Sequence, residues 1–122
     1  MSRYQNLPEL FFSKAKENLK NQHLLKINNS TNEVENWTWS NTYSSVNKIY
    51  QFINSQNLEK DERILLVSEN RPEWMAADVA IMSNQLIAVP TYITYTSRDF
   101  EHILNDSKPK GLIVSNKYLL DT

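Results

Sequence analysis

At 122 residues with a formal net charge of −1, the chain is one domain at most or a piece of one, without the positive field that draws proteins to nucleic acid or anionic membranes. Zero cysteines exclude a disulfide framework and any Cys-based metal site, while 40% hydrophobic residues suffice for a packed core. A single glycine, Gly111, argues against phosphate-cradling loops, and no GxGxxG, GxxxxGK[ST] or GxSxG occurs.

The first ten residues, MSRYQNLPEL, lack the apolar core of a signal peptide, and no apolar run approaches the roughly 20 residues of a membrane span. The expectation is a cytoplasmic protein.

In chain order, Leu7-Pro8-Glu9 opens a first helix with Phe11, Ala15 and Leu19 along one face and Lys14, Lys16, Glu17 and Lys20 on the other, ending near Asn21. His23 to Asn28 and Val34 to Trp39 are short segments joined by the turn-rich NNSTNE, which reads as a β-hairpin. Ser40 is placed to cap a second helix whose apolar positions Tyr43, Val46, Ile49 or Tyr50, and Ile53 step by three and four. Asn57 to Glu62 links it to the central stretch.

That stretch, RILLVSENRPEWMAADVAIMSNQLIAVP over residues 63–90, reads as strand, turn, helix and strand. Ile64 to Val67 is too short an apolar run for a helix, and Pro72 fits a helix's first turn, where its missing N–H costs nothing. Asn70 is expected to cap that helix, with Glu73 favoured by the dipole and the end near Asn84. Leu86 to Val89 is a second strand, stopped by Pro90. A βαβ unit of this kind makes a parallel sheet. Beyond it, TYITYT is extended or loop-like, and Thr96 or Ser97 caps a helix with Asp99 in its first turn and Phe100, Ile103 and Leu104 inward. Lys108 to Gly111 forms a turn, Leu112 to Val114 a third strand, and Lys117 to Thr122 the start of a further helix. The fold class is α/β: βαβ units in a mainly parallel sheet with flanking helices, plus an N-terminal helix and hairpin.

Few residues suggest chemistry. Ser68-Glu69-Asn70-Arg71 lies at the carboxyl end of a parallel strand, where open α/β sheets place ligands, although turn formation and capping explain the same residues. Asp78 stands in the apolar MAADVAIM and is expected to be held by hydrogen bonds rather than to act as a ligand. His23 and His102 have no carboxylate at triad or metal spacing, and His102 is expected at the surface. Trp74 is expected in the core, and without a basic patch the aromatic content is no argument for nucleic acid. Asn28, Asn29, Asn36 and Asn105 match N-x-[ST], an accident of asparagine richness in a chain without a secretion signal.

The order of SENRPEW, AADVAIM and IAVPTYIT, flanked by WTWSNTY and HILNDSKPKGLIV, resembles the N-terminal region of AMP-forming acyl-CoA synthetases, most closely bacterial long-chain fatty-acid CoA ligases. The likeness covers residues 7–115. It implies a two-step reaction: a carboxylate and ATP give an acyl-adenylate and pyrophosphate, and CoA then gives the thioester. ATP, Mg and CoA are implied for the full-length enzyme and none of them for this chain. No residue here matches the family's Ser/Thr/Gly-rich loop, aromatic-Thr-Glu motif, adenosine-binding Asp or catalytic Lys. The resemblance therefore assigns no catalytic, cofactor-binding or metal residue. Residues 1–122 are expected to be the N-terminal part of a larger domain, inactive alone, whose remainder is the principal partner. In the full-length enzyme a peripheral membrane contact is allowed. The alternative is a free-standing interaction module, and an exposed sheet edge or apolar face allows self-association. Family glycines near Asn57, Asp61, Gln85 and Lys108 are replaced here, at expected turns and helix ends. Asn41 stands where the family often has Glu, weakening a helix-start feature.

Overall fold

A computed structural model describes residues 3–121. Ten elements follow in order: α1 (Leu7–Asn18), β1 (Gln22–Ile27), β2 (Val34–Thr38), α2 (Trp39–Asn54), β3 (Arg63–Val67), α3 (Pro72–Ser83), β4 (Ile87–Thr91), α4 (Ser97–Ser107), β5 (Gly111–Val114) and α5 (Lys117–Asp121). β1 and β2 form an antiparallel hairpin, and β4-β3-β5 form a parallel sheet with β3 in the middle. This is the expected mixed α/β architecture. Thr122, expected in the last helix, lies outside the described residues.

The four apolar residues of β3 explain its place. Ile64, Leu65, Leu66 and Val67 are all buried, as a strand covered on both faces requires. α3 is apolar nearly all round, packs against α2, and buries Ala76, Ala77 and Ala80. Phe11 and Ala15 of α1, Val46 and Ile53 of α2, and Val79 and Ile81 of α3 complete one core with Ile64 and Leu86. Each fully buried Leu, Ile or Val contributes on the order of 1.5–3 kcal/mol.

Several local expectations are corrected. Thr38, not Ser40, caps α2: its hydroxyl accepts from the Asn41 N–H (3.1 Å) and the Asn41 side-chain Oδ1 accepts from the Thr38 N–H (2.8 Å). Asn41 thus supplies the acceptor that a capping box needs, and the helix start is not weakened. Trp39 begins this helix instead of ending β2. Asn70 does not cap α3; the position before Pro72 is Arg71, with no side-chain cap bond, and Pro72 needs none. Pro90 does not stop β4 but lies inside it opposite Leu66, which an outer strand tolerates because its N–H would point away from the sheet. Gly111 belongs to β5, where a Cβ would stand 2.8 Å from Ile64 Cδ1. α1 ends at Asn18, and Leu19 and Leu104, expected inward, are exposed.

Asn57, Asp61, Gln85 and Lys108, near which the resemblance implies glycines, all adopt positive φ, between 47° and 66°. The Asp61 N–H donates to the Gln85 carbonyl (2.9 Å), so two of these left-handed residues brace each other where β3 and β4 begin.

Candidate functional site

The carboxyl ends of the parallel strands converge on Ser68 to Arg71 after β3, Thr91 and Tyr92 at the end of β4, and Ser115 after β5. The Ser115 N–H donates to the Val67 carbonyl (3.1 Å), which holds the β5 end beside β3. The Ser115 hydroxyl donates a short hydrogen bond to Glu69, 46 positions away in the chain. Arg71 directs Nε and Nη2 at the two oxygens of Glu73, at 2.8 and 3.1 Å, and Nη1 at Glu69, at 3.2 Å. Such a two-pronged fork is among the stronger charge-assisted geometries, and Pro72 fixes the backbone between its members.

The electrostatics follow from these bonds. The Ser115 hydroxyl first, and the Arg71 charge after it, hold the Glu69 carboxyl below its ordinary range. The Arg71 fork does the same to Glu73, and Glu73 in turn raises Arg71. Both carboxylates are weak bases, and the charge of Arg71 is already countered twice. Ser115 beside Glu69 is therefore not a nucleophile with its general base, since no group in the pair has a proton affinity near neutrality. What the arrangement does is clamp β3, β5 and the start of α3 together.

Two open hollows flank the clamp. One, of about 440 Å³, lies between the ends of β3 and β4 against Trp74, Tyr92 and Ile93. The other, of about 210 Å³, reaches from Arg71 to Ile49, Leu66 and Ile113. No group of three His, Cys, Asp or Glu side chains able to hold a metal ion occurs among the described residues. With no glycine and one twice-paired arginine, the strand ends do not fit ATP phosphates or Mg, so no step of adenylate chemistry is assigned to them.

The remaining candidates lie apart from the strand ends. His23 is half-buried between α1, β1 and α2, its ring stacked on Trp39 at 3.7 Å and its Nδ1 2.8 Å from the hydroxyl of fully buried Thr42. Burial pushes its imidazole down from the usual value. His102 is exposed on α4, as expected. Asp78 is half-buried, but no side-chain hydrogen bond holds it among the described residues, contrary to expectation, and desolvation raises its carboxyl. Trp74, expected in the core, is only half-buried and lines both of those hollows and a third beside β1. Sequence reasoning missed the Ser115–Glu69 bond and the His23–Trp39 stack. The alternation Glu69, Arg71, Glu73 was the only readable sign of the clamp.

A family described as AMP-binding enzyme matches residues 12–122. Fatty acyl-CoA synthetase A of Dictyostelium discoideum is 37% identical over 60 residues, covering 49% of this chain and 9% of that protein. A fatty acid AMP ligase from Legionella pneumophila superposes with a TM-score of 0.86 over 98% of this chain and 21% of its own, at 16% identity. A Mycobacterium tuberculosis fatty acyl CoA synthetase gives 0.80 over 95% of this chain and 23% of its own, at 19% identity. The N-terminal subdomain of Klebsiella oxytoca NpsA gives 0.80 over 93% and 28%, at 15% identity. These likenesses show a shared fold, and this chain spans 9% of the curated relative and 21% to 28% of the solved chains. The family match takes in nearly the whole sequence, and the chain belongs to the AMP-binding enzyme family.

Proposed function

We propose that the chain is the N-terminal scaffold of a long-chain fatty-acid CoA ligase of the bacterial kind, inactive by itself. Its sheet supports loops elsewhere in the polypeptide that bind ATP, Mg and CoA and make first the acyl-adenylate and then the thioester. Residues 1–122 form the leading part of that larger domain, and the remainder of the synthetase is its main partner. The observation that carries this reading is the family match over residues 12–122. Its support from the site is chemical: the strand-end carboxylates are spent on Arg71 and Ser115. A cytoplasmic location, with a peripheral membrane contact for the full-length enzyme, goes with this reading. No helix among the described residues is long and apolar enough to cross a membrane.

The test is ATP–pyrophosphate exchange by the purified chain with palmitate. No exchange above a protein-free blank is expected. Turnover abolished by heating the protein would overturn the scaffold reading.

A further inference from the structure

The β1–β2 hairpin is paired out of step with the chain that enters it. At its base the Trp39 N–H donates to the Asn21 carbonyl (3.0 Å), and Gln22 stands opposite Thr38. Continued without a break, that pairing would set His23 opposite Trp37 and Leu24 opposite Asn36. Instead the register shifts at His23: Leu24 lies opposite Trp37, Leu25 opposite Asn36, Lys26 opposite Glu35 and Ile27 opposite Val34. Residues directly opposite share a face of the hairpin. Leu24, Lys26 and Trp37 are accordingly half-buried, while Leu25, Ile27 and Val34 are 51%, 59% and 51% exposed. β1 thus keeps a lysine on its inner face and two large aliphatic side chains on its outer one. Between β1 and the start of α3 lies a hollow of about 380 Å³ walled by Pro72, Trp74 and Met75.

We infer that the hairpin has a second register, in which the break at His23 is lost and β1 moves by one residue along β2. A one-residue slip exchanges the faces of a whole strand. With β2 in place, Leu25 and Ile27 come opposite Glu35 and Glu33 and turn inward, toward the apolar wall of the hollow. Leu24 and Lys26 turn outward. His23 comes opposite Trp37 and stays on the inner face, so its stack on Trp39 does not oppose the change. The connection that now closes with the Asn28 N–H donating to the Glu33 carbonyl (2.9 Å) becomes a five-residue loop, a common hairpin length. Each register satisfies what the other leaves unsatisfied. The observed one covers Leu24 and sets Lys26 opposite Glu35, and the second restores an unbroken ladder and covers Leu25 and Ile27. Such a conflict narrows the gap between two states. The slip also reaches the strand ends. Arg71 first, and Lys26 after it, lower the Glu73 carboxyl, so turning Lys26 outward withdraws a positive charge from the Glu69–Arg71–Glu73 clamp. Hairpin register and clamp form one coupled device. The inference concerns the 122-residue chain and does not rest on the ligase reading.

Disulfide trapping tests it, in a chain whose lack of cysteine leaves only the introduced pair to react. Leu25→Cys with Asn36→Cys reports the observed register. Leu24→Cys with Asn36→Cys reports the second, because in the observed one these two positions face opposite ways and cannot bond. Leu24→Cys with Val34→Cys is directly opposite in neither and measures fraying alone. Under a mild oxidant the second pair should close roughly ten to a hundred times more slowly than the first, as a minor state of about 1–10% requires, and about tenfold faster than the third. Ile27→Lys should slow the second pair about tenfold and leave the first unchanged, since Ile27 is exposed in the observed register and only the slip carries a lysine there inward. A second pair no faster than the third overturns the inference, and so does one indifferent to Ile27→Lys.

Discussion

His23 holds three elements together: it sits on β1, stacks on Trp39 at the start of α2, and lies 6.3 Å from the Phe11 ring of α1. Its imidazole is lowered by burial, which disfavours the charged form in the folded state. With the folded value depressed, the unfolded chain binds the proton more readily, so His23 contributes stability that is complete above the ordinary 6.5 and is lost as pH falls through the depressed value. Urea unfolding from about pH 8 to about pH 5 should show that decline in the native sequence and a flatter profile in His23→Gln. An unchanged slope in the variant would remove His23 as the cause. Glu69 and Glu73 have the same sign at lower pH: their contribution is present above the ordinary carboxylate value and fades as pH falls through their lowered ones. Both side chains are more than two-fifths exposed, so solvent screens the clamp, and its importance is geometric more than energetic.

At the scale of the element, the ends of α2, α3 and α4 depart furthest from cheap local conformation. Lys108, at φ 47° and ψ 58°, ends α4 in the left-handed region and donates its N–H to the Leu104 carbonyl at 3.0 Å. Gln85 turns the chain from α3 into β4 at φ 60°. A residue with a Cβ adopts this geometry at a cost of roughly 1–2 kcal/mol, partly offset by the extra entropy that glycine has in the unfolded chain. Gln85→Gly and Lys108→Gly should therefore each stabilise the fold by about 0.5–1 kcal/mol, read from denaturant midpoints at unchanged slope. Destabilisation by either change would show that the side chain makes a contact worth more than the strain. The need for a turn at these positions was legible from composition and from the glycines that the resemblance implies nearby. The cap of α2 was less so, because Thr38, Ser40 and Asn41 are all capping residues and only the course of the chain selects among them.

At the scale of the whole molecule, the structure is a firm centre with a thinly covered periphery. β3 has neighbours on both sides, Leu65 and Leu66 are almost wholly buried, and α3 presses six buried residues into the same core. α4, by contrast, buries only Ser107, and the hairpin leaves Leu25, Ile27 and Val34 in solvent. Local opening costs little where little is buried. Amide hydrogen exchange should accordingly be slowest in β3 and in α3, and faster in α4 and β2. Equal protection in all four would mean that the core and periphery unfold as one unit.

By itself the sequence determined the order and kind of the elements. Apolar runs of four residues, helical spacing, and punctuation by Pro72 and Asn-rich turns are local signals, and the α/β class follows from their alternation. Its family was legible too, in SENRPEW and the segments around it. Only the tertiary structure decided that β3 is central and that Pro90 is tolerated inside an outer strand, because strand order depends on how crossovers pack. It alone joined Ser115 to Glu69 and His23 to Trp39 and Thr42, since contacts between residues far apart in the chain leave no periodic trace. The Ser68 to Arg71 turn shows the division most plainly. Position at a strand end made it a candidate ligand site, turn formation and capping explained the same residues, and only the bonds made there to Glu73 and Ser115 show a clamp.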